Sequence, residues 1–138
     1  METAGENIID RFEQNFISED SFHNADHVRL AFEYLHRYLV LEALSRFSDA
    51  LKRLAEVRGK TQLYNETITC AYFFLIHERM ARVEAMRWEE FSARNPDLLI
   101  WKGGILSHYY RDATLKSDFA RRVFVLPDKG SEPQNLSS

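Results

Sequence analysis

Cys70-Ala-Tyr-Phe-Phe-Leu-Ile76 is apolar almost all the way round a helix, and it constrains this chain more than any other stretch. A helix without a polar face must be contacted on several sides, by protein or by lipid. The run is far shorter than the roughly 20 residues needed to cross a bilayer. It therefore predicts a helix at the centre of a bundle, with amphipathic segments packed around it.

The rest of the chain agrees. Its 138 residues include only 5 Gly and 3 Pro, while Ala, Leu, Glu and Arg are plentiful, so helix is favoured over a turn-rich β fold. The length suits one domain with a sizeable core. The expected fold is all-α: a single-domain irregular bundle of five to seven helices over residues 1–128, with a disordered tail at 129–138. A net charge of -3 without a basic stripe gives no reason to expect nucleic acid. The single Cys70 excludes an internal disulfide framework and fits a reducing compartment. The N-terminus lacks the basic and apolar regions of a signal peptide. A soluble, cytoplasmic protein with no membrane segment is expected.

Hydrophobic spacing divides the chain into elements. Residues 7–17 read as a short amphipathic helix with Ile8, Ile9, Phe12 and Phe16 inward. A second helix, about Asn24 to Tyr38, turns His23, His27, Leu30, Ala31, Tyr34 and Tyr38 inward and Arg29, Glu33, His36 and Arg37 outward. The third, about Leu41 to Arg58, carries the stripe Leu44, Phe47, Leu51, Leu54 and Ala55, and Gly59 is a natural terminator. The central fourth helix begins near Thr61 or Asn65 and ends near Met86. Trp88 to Ala93 forms a further turn, and Pro96 opens another segment. Asp112 to Arg122 reads as one last helix, Val123 to Leu126 as an extended segment closing on the core.

Two polar clusters interrupt this apolar frame. His23 and His27 lie four residues apart, so on a helix both imidazoles project from one face, a spacing used by two-histidine metal sites. Tyr64-Asn65-Glu66-Thr67-Ile68-Thr69 opens the central helix. Short connections make the second, third and fourth helices run up, down and up, which brings His23, His27 and Glu66 to one end. His77 lies about 16 Å further along the helix from Glu66 at 1.5 Å per residue and is excluded. The same pattern also fits a plain core: His23 as a helix cap, His27 bonded to a neighbour, Thr67 and Thr69 bonded to backbone carbonyls. Cys70 reads as buried and inert, Tyr109-Tyr110 as packing, and Arg121-Arg122 as a solvated pair.

Phe22-His23-Asn24-Ala25-Asp26-His27-Val28-Arg29-Leu30-Ala31, followed by Tyr64-Asn65-Glu66-Thr67-Ile68-Thr69, resembles a family of small bacterial helical proteins. The segment Leu115-Lys-Ser-Asp-Phe-Ala-Arg121 and then Phe124-Val-Leu-Pro-Asp128 is similar to that family's C-terminal part. The resemblance covers about residues 12–128 and carries no reaction with it. It implies a histidine where this chain has Asn65, and so a polar set of three histidines with Glu66; here His23, His27 and Glu66 remain. Asn is a poor ligand for transition metals, which leaves Asn65 a weak one.

The leading expectation is a divalent ion, Zn by default, held by His23, His27 and Glu66 with an open position for water, in a metal-assisted small-molecule enzyme or binding protein. Asp26 or Tyr64 would carry the proton. The alternative is a non-catalytic interaction or homo-oligomerisation module in which His23, Asp26 and Glu66 form a structural hydrogen-bond network. A third reading is a metal-free pocket for an anionic ligand. A dry interior at His27 would favour the module.

Overall fold

The apolar run does lie at the centre. In the computed structural model, which describes Ile9 and residues 24–84, 86–99 and 104–129, six α-helices and three short 3-10 segments follow one another, with no strand among the described residues. The helices are α1 (Asn24–Arg37), α2 (Val40–Val57), α3 (Glu66–Ala81), α4 (Trp88–Arg94), α5 (Asp112–Leu115) and α6 (Asp118–Arg122). The 3-10 segments are Thr61–Leu63, Pro96–Leu99 and Ile105–His108. The first expected helix, apart from Ile9, lies outside the described residues, as do His23 and the tail from residue 130. Ile9 is helical and buried.

Helix α3 packs against α1, α2, α6 and the 3-10 segment Ile105–His108. Thr67, Thr69, Cys70, Tyr72, Phe73 and Ile76 are all buried along it, which accounts for its lack of a polar face. Helices α1 and α2 are antiparallel neighbours because only Tyr38 and Leu39 separate them. Their contact is aromatic: Tyr34 meets Phe47 edge-on at 6.2 Å between ring centroids, and Phe47 meets Phe73 at 5.4 Å.

Helix α1 is buried on a wider face than its periodicity predicts. Val28 and Phe32 are as buried as Leu30, Ala31 and Tyr34. For Phe32 the partner is α4, whose Phe91 lies tilted against it at 4.9 Å and whose Trp88 meets it edge-on at 5.6 Å between ring centroids. Such docking covers part of the side assigned to solvent, where Arg29 and Glu33 are half-buried and Nε of Arg29 lies 3.8 Å from Oε2 of Glu33.

Helix boundaries follow their capping groups. Helix α2 ends in a Schellman turn: the Lys60 N–H donates to the Ala55 carbonyl at 2.8 Å and the Gly59 N–H to Glu56 at 3.0 Å, with Gly59 at φ 68°. Helix α3 starts at Glu66 rather than Thr61 because Asn65 caps it, Oδ1 accepting from the Ile68 N–H at 2.8 Å. It stops at Ala81, short of Met86. The single helix expected over Asp112 to Arg122 is two. Ser117 breaks it, donating to the Thr114 carbonyl at 2.8 Å and accepting from the Ala120 N–H at 3.0 Å as the cap of α6.

The C-terminal segment differs most from the sequence reading. The backbone is extended at Val123 and residues 124–126 belong to no helix, yet Val123, Phe124 and Leu126 are exposed, Leu126 at 72%. Hydrogen bonds fasten it instead of apolar burial. The Thr67 hydroxyl donates to the Val123 carbonyl at 2.9 Å and accepts from the Val125 N–H at 3.0 Å. The Tyr110 hydroxyl donates to the Val125 carbonyl at 2.6 Å. Asp128 accepts from the Arg111 N–H at 3.0 Å and from the Thr114 hydroxyl, and the Lys129 N–H reaches the Tyr109 carbonyl at 3.0 Å. Among the described residues, no helix is long and apolar enough to cross a membrane.

Candidate functional site: a cavity at the open end of the three long helices

The up-down-up order brings together the start of α1, the end of α2 and the start of α3, and a cavity of about 570 Å³ lies between them. That volume falls inside the range of about 300–1,000 Å³ typical of small-molecule sites. Val28, Phe47, Phe73 and Ile76 wall its inner part and are buried. Leu51, Ala55 and Ile68 line it where the walls become half-exposed. His27, Arg58, Lys60, Tyr64, Asn65 and Thr69 supply its polar groups. The lining is mostly apolar, with these few polar groups set among it.

His27 lines this cavity from the first turns of α1. Burial pulls its pKa down from 6.5 to about 4; the neighbouring Asp26 carboxylate opposes that, and the Arg58 guanidinium adds to it. The imidazole is therefore neutral at physiological pH, with one nitrogen to donate and one to accept. Arg58 and Lys60 reach the same cavity because the Schellman turn at Gly59 reverses the chain between them.

The second cluster divides its work. Tyr64 lines the cavity, and its hydroxyl donates to Oε1 of Glu66 at 2.8 Å. Burial, followed by that carboxylate, pushes the phenol pKa up, so Tyr64 stays protonated. Nζ of Lys52 sits 3.9 Å from Oε1 of Glu66 and 5.3 Å from the centroid of the Tyr64 ring. Glu66 itself is not among the described residues that line the cavity. Asn65 is engaged at both ends of its carboxamide: while Oδ1 caps α3, Nδ2 donates to the Leu115 carbonyl at 2.9 Å.

The placement of the sequence candidates is thus mixed. His27, Tyr64 and Asn65 line one cavity, at the end of the bundle where the helix order brings them. Glu66 pairs with Tyr64 and Lys52 beside it. Asp26 is half-buried and acts electrostatically on His27. Among the described residues, no three His, Cys, Asp or Glu side chains cluster closely enough to hold a metal; His23, the remaining member of the expected trio, lies outside them. Thr67 bonds across to the C-terminal segment rather than to its own helix. Cys70 is buried, and burial, then the Glu66 carboxylate, pushes its thiol up to about 11. Arg121 and Arg122 both pair with Asp118.

Sequence reasoning did not single out Arg58 and Lys60. The signal was there: cations on either side of a helix-terminating glycine, at the end of the molecule already marked by His27 and Tyr64. Compared with protein-family models, curated proteins and solved structures, the chain matches none.

Proposed function

We propose that this protein binds a small organic molecule in the cavity between α1, α2 and α3, without needing a metal ion. The observation that carries the reading is the cavity itself: a mostly apolar lining, much of it buried, with a few polar side chains set among it. Small-molecule sites combine those two features, a desolvated apolar body and a few polar groups that fix orientation. His27, neutral, is one of the polar side chains of that lining. The cavity also argues against a purely structural role for the cluster, which calls for a dry interior at His27.

In the metal reading, Glu66 leaves Tyr64 and Lys52 to share an ion with His23 and His27. The bonds Glu66 makes, and the engagement of both ends of Asn65, favour the metal-free reading. The test is calorimetric titration of wild-type protein, Ala55→Phe and His27→Ala, with zinc and with a panel of small amphipathic molecules. Panel members should bind wild type one to one and fail to bind Ala55→Phe, whose new ring occupies the cavity. Zinc should give the same heats in wild type and His27→Ala. One-to-one zinc binding lost in His27→Ala would overturn the metal-free reading, and no binding from the panel would overturn the pocket.

A further inference from the structure

The polar side chains of the cavity lining are already engaged. The Tyr64 hydroxyl donates to Glu66 at 2.8 Å, and that of Tyr72 donates to the Leu98 carbonyl at 2.5 Å. The Asn65 carboxamide is held at both ends, by the Ile68 N–H and the Leu115 carbonyl. None of His27, Arg58 and Lys60 stands without a partner. Thr69 adds only an uncharged hydroxyl, which interacts with that of Tyr64. Between these groups the lining is hydrocarbon, from Leu51, Leu54, Ile68 and Ile76 to the rings of Phe47 and Phe73. A charged head entering this space would lose hydration and have to displace partners already in place. An uncharged body leaves those interactions intact and loses nothing by leaving water.

Leu63 is the exception in that lining. It is 68% exposed, while the other described lining residues are buried or half-buried, and no residue of its 3-10 segment, Thr61–Leu63, is buried. A hydrocarbon body in the cavity meets this side chain and takes its apolar surface out of water. Size sets a further bound. A dry apolar cavity of roughly 150 Å³ holds one benzene. At about 570 Å³ this cavity has room for a chain of about eight to ten carbons.

We propose, building on the pocket reading above, that the ligand is an uncharged, hydrocarbon-rich molecule whose body covers Leu63. Octanol, octanoate and octylammonium share one apolar chain and differ only in the head, so calorimetry with the three at neutral pH separates head from body. Wild-type protein should bind octanol one to one, about tenfold or more tighter than either ion. Leu63→Gln should weaken octanol about fivefold, the loss expected from one partly exposed leucine, with the melting temperature unchanged. Ala55→Phe should abolish octanol binding, with thermal melts checking that it folds. An ion bound as tightly as octanol, or more so, would overturn the uncharged assignment and leave the pocket standing. Octanol affinity unchanged in Leu63→Gln would overturn the role of Leu63. Octanol binding undiminished in Ala55→Phe would place the ligand elsewhere and overturn the proposal, and failure of all three probes would remove the pocket reading as well.

Discussion

Thr67 and Val125 lie 58 residues apart in sequence, and the hydroxyl of one accepts the backbone N–H of the other at 3.0 Å. The same hydroxyl donates to the Val123 carbonyl at 2.9 Å, so one fully buried oxygen clasps both sides of residue 124. A side chain on the central helix thus substitutes for the neighbouring strand that an extended segment would otherwise need.

That clasp sets the first prediction. Thr67→Val keeps the shape of the side chain but removes both bonds, leaving a carbonyl and an N–H of the C-terminal segment without partners. The cost should be about 2–4 kcal/mol in urea unfolding. Thr67→Ser, which retains the hydroxyl, should recover more than half of it. Equal stabilities for the valine and wild-type proteins would mean that water replaces the clasp without loss.

Asn65 carries a different load, since its two ends hold different elements. Asn65→Ala should cost about 1–3 kcal/mol by removing the cap of α3 and the tie to Leu115 together. Asn65→Asp keeps an oxygen for the cap and loses the amide donor, so it should fall between alanine and wild type. A loss in Asn65→Asp as large as in Asn65→Ala would show that the tie to Leu115 carries nearly all the energy.

Burial of neutral His27 links stability to pH. Its pKa is about 4 in the folded protein against 6.5 ordinarily, so between those values the unfolded chain binds more protons. Stability should therefore decline as the pH falls from about 6.5 to about 4, with His27 contributing up to about 3 kcal/mol of the decline. His27→Gln should flatten that part of the profile relative to wild type. Parallel profiles for the two proteins between pH 4 and 6.5 would place the titration elsewhere.

Cys70 should resist modification. It is 8% exposed and its thiol is pushed up to about 11, so at pH 7.5 very little thiolate is present and little of it is reachable. Labelling with a disulfide reagent should be slow and should accelerate with urea in step with unfolding. Fast stoichiometric labelling in native buffer would show that the start of α3 opens far more readily than its packing implies.

Much of the fold is legible in the residues because local physics decides it. The apolar run Cys70 to Ile76 has no stable surroundings except the middle of a bundle; of the stripe Leu44, Phe47, Leu51, Leu54 and Ala55, Phe47 and Leu54 are buried and the others half-buried, with Ala43 and Ala50 completing the inner face, and Gly59 marks the end of α2. Short connections then leave little choice about direction, so His27 and Tyr64 meet at one end. Those inferences rest on periodicity, capping and chain length, which act within a few residues of each other.

The rest depends on partners that no local pattern announces. Arg58 and Lys60 look like ordinary charges until the turn at Gly59 sets them on the wall of a cavity formed by three helices. Thr67 and Asn65 resemble residues of an ordinary helix start, and only the return of the chain at Leu115, Val123 and Val125 gives them distant partners. An all-α bundle with α3 at its core follows from the residues alone, because burial of an apolar surface is non-directional and needs only the right spacing. The tertiary structure alone decided which polar side chains clasp the C-terminal segment and which face the cavity, because hydrogen bonds and charge pairing depend on angles and distances between elements far apart in the chain.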